Sequence, residues 1–310
     1  MGEKQGLLSG GYAKVVRNKR YIFWFWVLNL TLALCGVMAF RQQAHVVLDN
    51  SLYSGGLVRG FDLGVFLEML SRPELGPMKA SRDPALFSAG VFFVFTVLLL
   101  PGVFLGYASN YRLPRDEFFR ASGRNLWRFI RLLIVSGVVM GGLARLLFFL
   151  HELLENKAAE STNELLLPEV QFAGLVVIFL VMTCLRIWFD LAEADVVLSD
   201  QNAVRKSIGA AFRHTWRHWV KLLSAYVVTT IVAVIILAAG IWVWRYWVGP
   251  EHVKRAFVVS QLTLFLLLIP RFWQRGIAVA HWQHKMMVHA PAQPLAPPVA
   301  AASGGVPVPG

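Results

Sequence analysis

The chain has 310 residues, 56% hydrophobic and only 15% charged, with a formal net charge of +12. An ordinary soluble domain has about 25% charged residues, so this composition argues against a water-facing globular surface. The apolar residues instead come in blocks of about twenty, the length that crosses bilayer hydrocarbon as an α-helix, and the intervening segments hold nearly all the charge.

The expected architecture is all-α. Residues 1–289 form one polytopic membrane domain of six spans, with amphipathic helices at its cytoplasmic interface. Lys14, Arg17, Lys19 and Arg20 precede the first span, 21–40, which contains no charge. That run is too long for the apolar region of a signal peptide and no small-residue cleavage site follows it, so it reads as a retained helix. Cys35 in this span and Cys184 in the fourth behave as small hydrophobes and suggest no disulfide. The longest loop, 41–86, holds a stretch at 61–70, between Gly55-Gly56 and Pro73, that predicts a short surface helix. The second and third spans are 87–108 and 132–150, and Arg145 lies within the third. The loop 151–170 sets Lys157 against Glu152, Glu155, Glu160, Glu164 and Glu169. Span four is 172–188 and span five 222–248. The sixth, 257–279, continues through Pro270 with Arg271 and Arg275 near the interface. The tail 290–310 is rich in Pro, Ala, Gly and Val, carries no charge, and predicts disorder.

Orientation follows the basic residues. With the N-terminus inside, the inner segments carry 20 Lys and Arg and the outer ones 9. Positive charge is retained on the cytoplasmic side, so both termini are expected there, in a bacterial inner membrane. The net charge then faces anionic lipid headgroups. No nucleic-acid motif accompanies it.

Two inner segments echo one another. RNLWRFIRLL from Arg124 matches RHTWRHWVKLL from Arg213, with one residue inserted in the second, and each runs into a span. In the first, Arg120, Arg124, Arg128 and Arg131 form one helical stripe, an amphipathic helix at headgroup level. The second starts near Ser199 and Asp200, both suitable N-caps, and carries Arg213, Arg217 and Lys221. These basic side chains are the candidate lipid-headgroup contacts. Spans two–three and four–five would then be repeated hairpins.

The densest polar cluster is Arg186, Asp190, Glu193, Asp195 and Asp200. Arg186, Asp190 and Glu193 share one helical face, so the group is either a cation or headgroup site or an ion-paired helix end. Arg145 is the basic residue well inside a span. It is a functional suspect by default, although it can also snorkel outward toward Glu152. His214 and His218 at i, i+4 and His281 and His284 at i, i+3 have ligand-like spacing. No local acid or cysteine joins either pair, so they read as interfacial histidines, and no metal or cofactor is expected. No hydrolase elbow, phosphate-cradling loop or nucleophile set is present. Tryptophans such as Trp24, Trp127, Trp188, Trp216 and Trp247 cluster near span ends, as an aromatic belt requires.

The stretch RIWFDLAEADVVLSD from Arg186 to Asp200, followed by AVRKSI from Ala203 and a basic aromatic helix, resembles bacterial multi-helix membrane proteins. It is similar to the membrane domain attached to some glycerophosphodiester phosphodiesterases, over residues 180–250. The resemblance implies a membrane module without a reaction, since nothing in the chain matches the catalytic barrel. The expected function is therefore non-enzymatic: an inner-membrane component of a larger assembly that engages anionic lipid or a protein partner. The alternative is a transporter or channel subunit built on the two hairpins, with Asp190, Glu193 and Arg145 along its path.

Overall fold

The computed structural model describes residues 6–48, 79–109, 111–160, 163, 165–199, 203–248 and 252–286, with the side chains of 36–48, 79–85 and 253 left aside. The surface helix expected at 61–70, the tail 290–310 and Asp200 lie outside these residues. Among them all regular structure is helical: α1 Leu7–Arg17, α2 Arg20–Leu48, α3 Lys79–Ala108, α4 Arg115–Ala159, α5 Leu166–Leu198, α6 Val204–Arg217, α7 Trp219–Trp247 and α8 Val253–His281, the last continuing into a π-turn, Trp282–Met286.

Five helices are long and apolar enough to cross a bilayer: Leu86–Ala108 of α3, then α4, α5, α7 and Lys254–Lys285. In α4 only 11% of the most apolar window is covered by other parts of the chain, and in α5 and α7 22%. Such surfaces need a hydrocarbon solvent, because left in water they would lose the burial that drives a soluble fold. The first expected span, 21–40, falls in α2, whose described apolar part is Arg20–Cys35.

One end of the bundle is defined by polar contacts. Lys14 donates from Nζ to the Tyr107 carbonyl (3.0 Å) and to Gln283 Oε1 (2.5 Å), and Arg17 donates to the Ser109 carbonyl at 2.5 Å. Asn18 donates to the Gly106 carbonyl at 3.2 Å, and Gln283 to that of Ala108 at 2.8 Å. The last carbonyls of a helix have no partner within it and carry the negative end of its dipole. Here α1 and the π-turn supply the donors for those of α3. The start of α2, the end of α3, the start of α4 and the end of α8 therefore share this basic end, and α2 runs antiparallel to α3.

At the centre lies α8, which packs against α1, α2, α3, α5 and α7. Its final turns, from Phe272 to Trp282, are buried almost all round. Small residues allow the approach: a Cβ on Gly276 would meet the Gly11 carbonyl oxygen at 2.5 Å, and one on Gly11 would meet the Ile277 nitrogen at 2.9 Å. Close backbone contact between small residues is the usual way helices associate in lipid, where apolar burial gives no drive. Trp273 then donates to the Leu8 carbonyl at 2.9 Å and its ring lies 5.1 Å from that of Tyr12. Pro270 does not end α8, a tolerance common in membrane-spanning helices.

The two echoed segments diverge at the inserted residue. In the first copy the basic stripe is continuous with span three, giving one helix of 45 residues. At 1.5 Å per residue it is about 68 Å long, so it extends beyond hydrocarbon about 30 Å thick instead of forming a separate interfacial helix. In the second copy the helix breaks at His218, with φ −124° and ψ 23°, within the stretch that holds the extra residue. One added residue turns the following face by about 100°, and the break lets α6 and α7 each keep its own buried face. Ser199 is the C-cap of α5 and not the N-cap of α6; that position belongs to Ala203, without a side-chain cap.

Candidate functional site

Span four extends ten residues past its expected end, so α5 carries the predicted polar cluster into the bundle. From Ile187 to Val197 nearly every side chain is buried, including Asp190, Glu193 and Asp195. They are therefore interior groups, with Arg186 half-exposed beside them.

Each acid has a defined neighbourhood. Asp190 Oδ2 lies 3.8 Å from Arg186 Nε and accepts from the Tyr226 hydroxyl at 2.9 Å. That hydroxyl is also 3.2 Å from the Gln274 carbonyl. Gln274 Nε2 donates to Thr229 Oγ1 at 3.1 Å, and the Thr229 and Thr230 hydroxyls donate to the Tyr226 carbonyl. Asp195 Oδ1 accepts from Trp282 Nε1 at 2.9 Å, which fastens the end of α8 to α5. Arg275, 7% exposed, lies within electrostatic reach of both Asp190 and Glu193. Its guanidinium also sits 5.3 Å from the Phe272 ring centre. Buried charges persist when they are offset; Arg275 Nε has no hydrogen-bond partner among the described residues, so the two acids of α5 act on it through electrostatics and not through a direct contact.

Arg275, expected near the interface, is buried within the bundle. Its burial follows from the length of α8, which carries Arg275 past Pro270 onto the all-buried turns. Tyr226 and Gln274 carried no sequence signal, since a tyrosine or glutamine near a span end is ordinary. Arg145 does not join the cluster. It is exposed on α4, roughly 20 Å along the axis from Leu132, which packs with Ile187, Leu191 and Tyr226.

The predicted headgroup residues Arg120, Arg124, Arg131, Arg213, Arg217 and Lys221 are exposed, while Arg128 is half-buried. On α6 the opposite side, Ser207, Ala211 and Thr215, is buried. Trp188 of α5 holds that helix by donating to the Ile208 carbonyl at 2.9 Å and by an edge contact with Phe212 at 5.1 Å. An apolar groove of about 580 Å³ between α5, α6 and α7 is lined by Leu180, Cys184, Trp188, Phe212, Trp216 and Trp219, among others.

The histidines regroup. His284 is exposed, whereas His281 is buried and meets the other pair: its ring centre lies 6.3 Å from that of His214 and 5.3 Å from that of His218. Spacing along the chain could not show this, because the third member comes from a helix 63 residues beyond His218. The expectation of isolated interfacial pairs is thereby revised.

No protein-family model, curated protein or solved structure matches this chain.

Proposed function

We propose that the chain is a non-enzymatic, six-span component of a bacterial inner membrane, with both termini cytoplasmic, that binds anionic phospholipid at its basic end. The first span is α2. The observation that carries the reading is the apolar groove beside α6: at about 580 Å³ it has room for part of an acyl chain, and Arg217 and Lys221, close in sequence to its lining residues Trp216 and Trp219, are exposed. Indole rings at 75% exposure on Trp216 and 53% on Trp219 suit the headgroup layer, where an amphipathic ring keeps both an apolar and a wet side. Basic residues near the membrane surface each add about 1 kcal/mol toward anionic lipid.

Reconstitution in nanodiscs tests this. Phosphatidylglycerol should raise the unfolding temperature more than phosphatidylcholine does, and Arg217→Gln with Lys221→Gln should erase the difference. Equal stabilisation by the two lipids would remove the basis for the proposal.

The buried Asp190, Glu193 and Arg275 favour a second reading, a transporter subunit, because ionisable groups within spans commonly mark ion paths. Ion flux into proteoliposomes that disappears in Asp190→Ala and Glu193→Ala would establish it. Unchanged permeability of the wild type relative to empty vesicles would dismiss it.

A further inference from the structure

We propose that His214, His218 and His281 form a three-imidazole site for a divalent transition metal of the zinc class at the basic end of the bundle. One potential ligand nitrogen from each residue lies within 4.8 Å of the others. Around a tetrahedral ion with Zn–N near 2.0–2.1 Å, such nitrogens are about 3.4 Å apart. Three imidazoles with one open position is the ligand set of a known class of catalytic zinc sites.

The elements around the triad prepare it. His214 and His218 share one face of α6, and His218 stands at the break into α7. Its Nδ1 lies 3.3 Å from the His214 carbonyl oxygen. A carbonyl only accepts, so this contact requires Nδ1–H and leaves the Nε2 lone pair for a metal, the arrangement that outer-shell partners impose on ligating histidines. His281 is the last residue of α8, where the helix passes into the π-turn Trp282–Met286, a distortion found often at functional sites. The next residue is fastened through Trp282 Nε1 to Asp195. His281 is 2% exposed, and its Nε2 is buried without a hydrogen-bond partner among the described residues. An unsatisfied buried nitrogen costs about 1–3 kcal/mol, a cost that coordination removes.

A cavity of about 330 Å³ adjoins the triad, lined by Arg213, His214, Arg217, His218 and Lys285. Positive charge on three of these side chains opposes a bare dication. It favours one whose open position carries an anionic oxygen ligand.

The test uses tag-free, full-length protein in detergent, stripped with chelator and dialysed against zinc, with elemental analysis and thermal unfolding. A cobalt-loaded sample reports geometry. The expected result is about one zinc per chain, a rise in unfolding temperature on adding zinc, and visible cobalt bands of tetrahedral intensity. Affinity should fall in His281→Ala by more than the roughly 10–100-fold that losing an outer-shell partner costs. Because His281 is deeply buried and that variant could misfold, His218→Gln, at a half-exposed position, must show the same loss. His252→Ala and His284→Ala should bind as the wild type does. Sub-stoichiometric zinc in the wild type, or equal affinity in His218→Gln, would overturn the site.

Discussion

Tyr226 is fully buried and its hydroxyl is the donor that Asp190 receives inside the bundle. Removing that donor leaves a buried carboxylate short of one partner, so Tyr226→Phe should destabilise the protein by about 1–3 kcal/mol in detergent unfolding. Asp190→Ala should cost more, about 3–5 kcal/mol, because it leaves the buried Arg275 guanidinium without a carboxylate that offsets it electrostatically. Equal effects of the two variants would mean that the arginine does not depend on Asp190. Lys14 offers a separate check through pH. Burial, with a smaller contribution from Arg17, pulls its amine down from 10.5 to about 8. A base weakened by folding makes its charged form costly, so that cost is present below about pH 8 and fades as pH rises toward 10.5. The neutral amine can still donate to Tyr107 and Gln283. Unfolding temperature should therefore climb more steeply between pH 8 and 10 in the wild type than in Lys14→Met; parallel curves would show that Lys14 keeps its ordinary proton affinity.

Among the elements, α1 and α8 form the contact on which the basic end is built. Gly276→Leu would drive a side chain into the Gly11 carbonyl; overpacking of this kind costs about 1–3 kcal/mol and should expose the Trp273 indole to quenchers. Gly123→Ala, with open space around its Cβ position, should leave stability unchanged. If quenching in Gly276→Leu matches the wild type, α1 is held by something other than this crossing. The long helices were legible in the sequence because blocks of apolar residues near twenty have few alternatives. α1 was not, since Leu7–Arg17 is short, glycine-bearing and flanked by charge, and its contacts with α3 and α8 help to hold it in place. The same distinction separates the halves of the candidate site. Arg186, Asp190 and Glu193 announced themselves by helical spacing within one element. Arg275, Tyr226 and His281 joined them or their neighbours across elements, through the packing of α7 and α8, which periodicity does not encode. The inserted residue near His218 was visible, but its outcome, a broken helix in one copy and a continuous one in the other, needed coordinates.

At the scale of the whole molecule, one end collects Lys14, Arg17 and Asn18 on the end of α3, the acids of α5 with Arg275, and the three histidines between α6 and α8. The exposed sides of α4, α5 and α7 are apolar over most of their length. The proposed orientation puts this end in the cytoplasm, because basic residues are retained on that side. Impermeant maleimide labelling of single cysteines, introduced one at a time into a background lacking Cys35 and Cys184, tests it most directly in inverted and right-side-out vesicles. Cysteines at 112, 206 and 285 should all react only from the cytoplasmic face, and those at 157 and 254 only from the opposite face. Labelling that splits 112, 206 and 285 between the two faces, or that reaches all five positions from one face, would contradict the account.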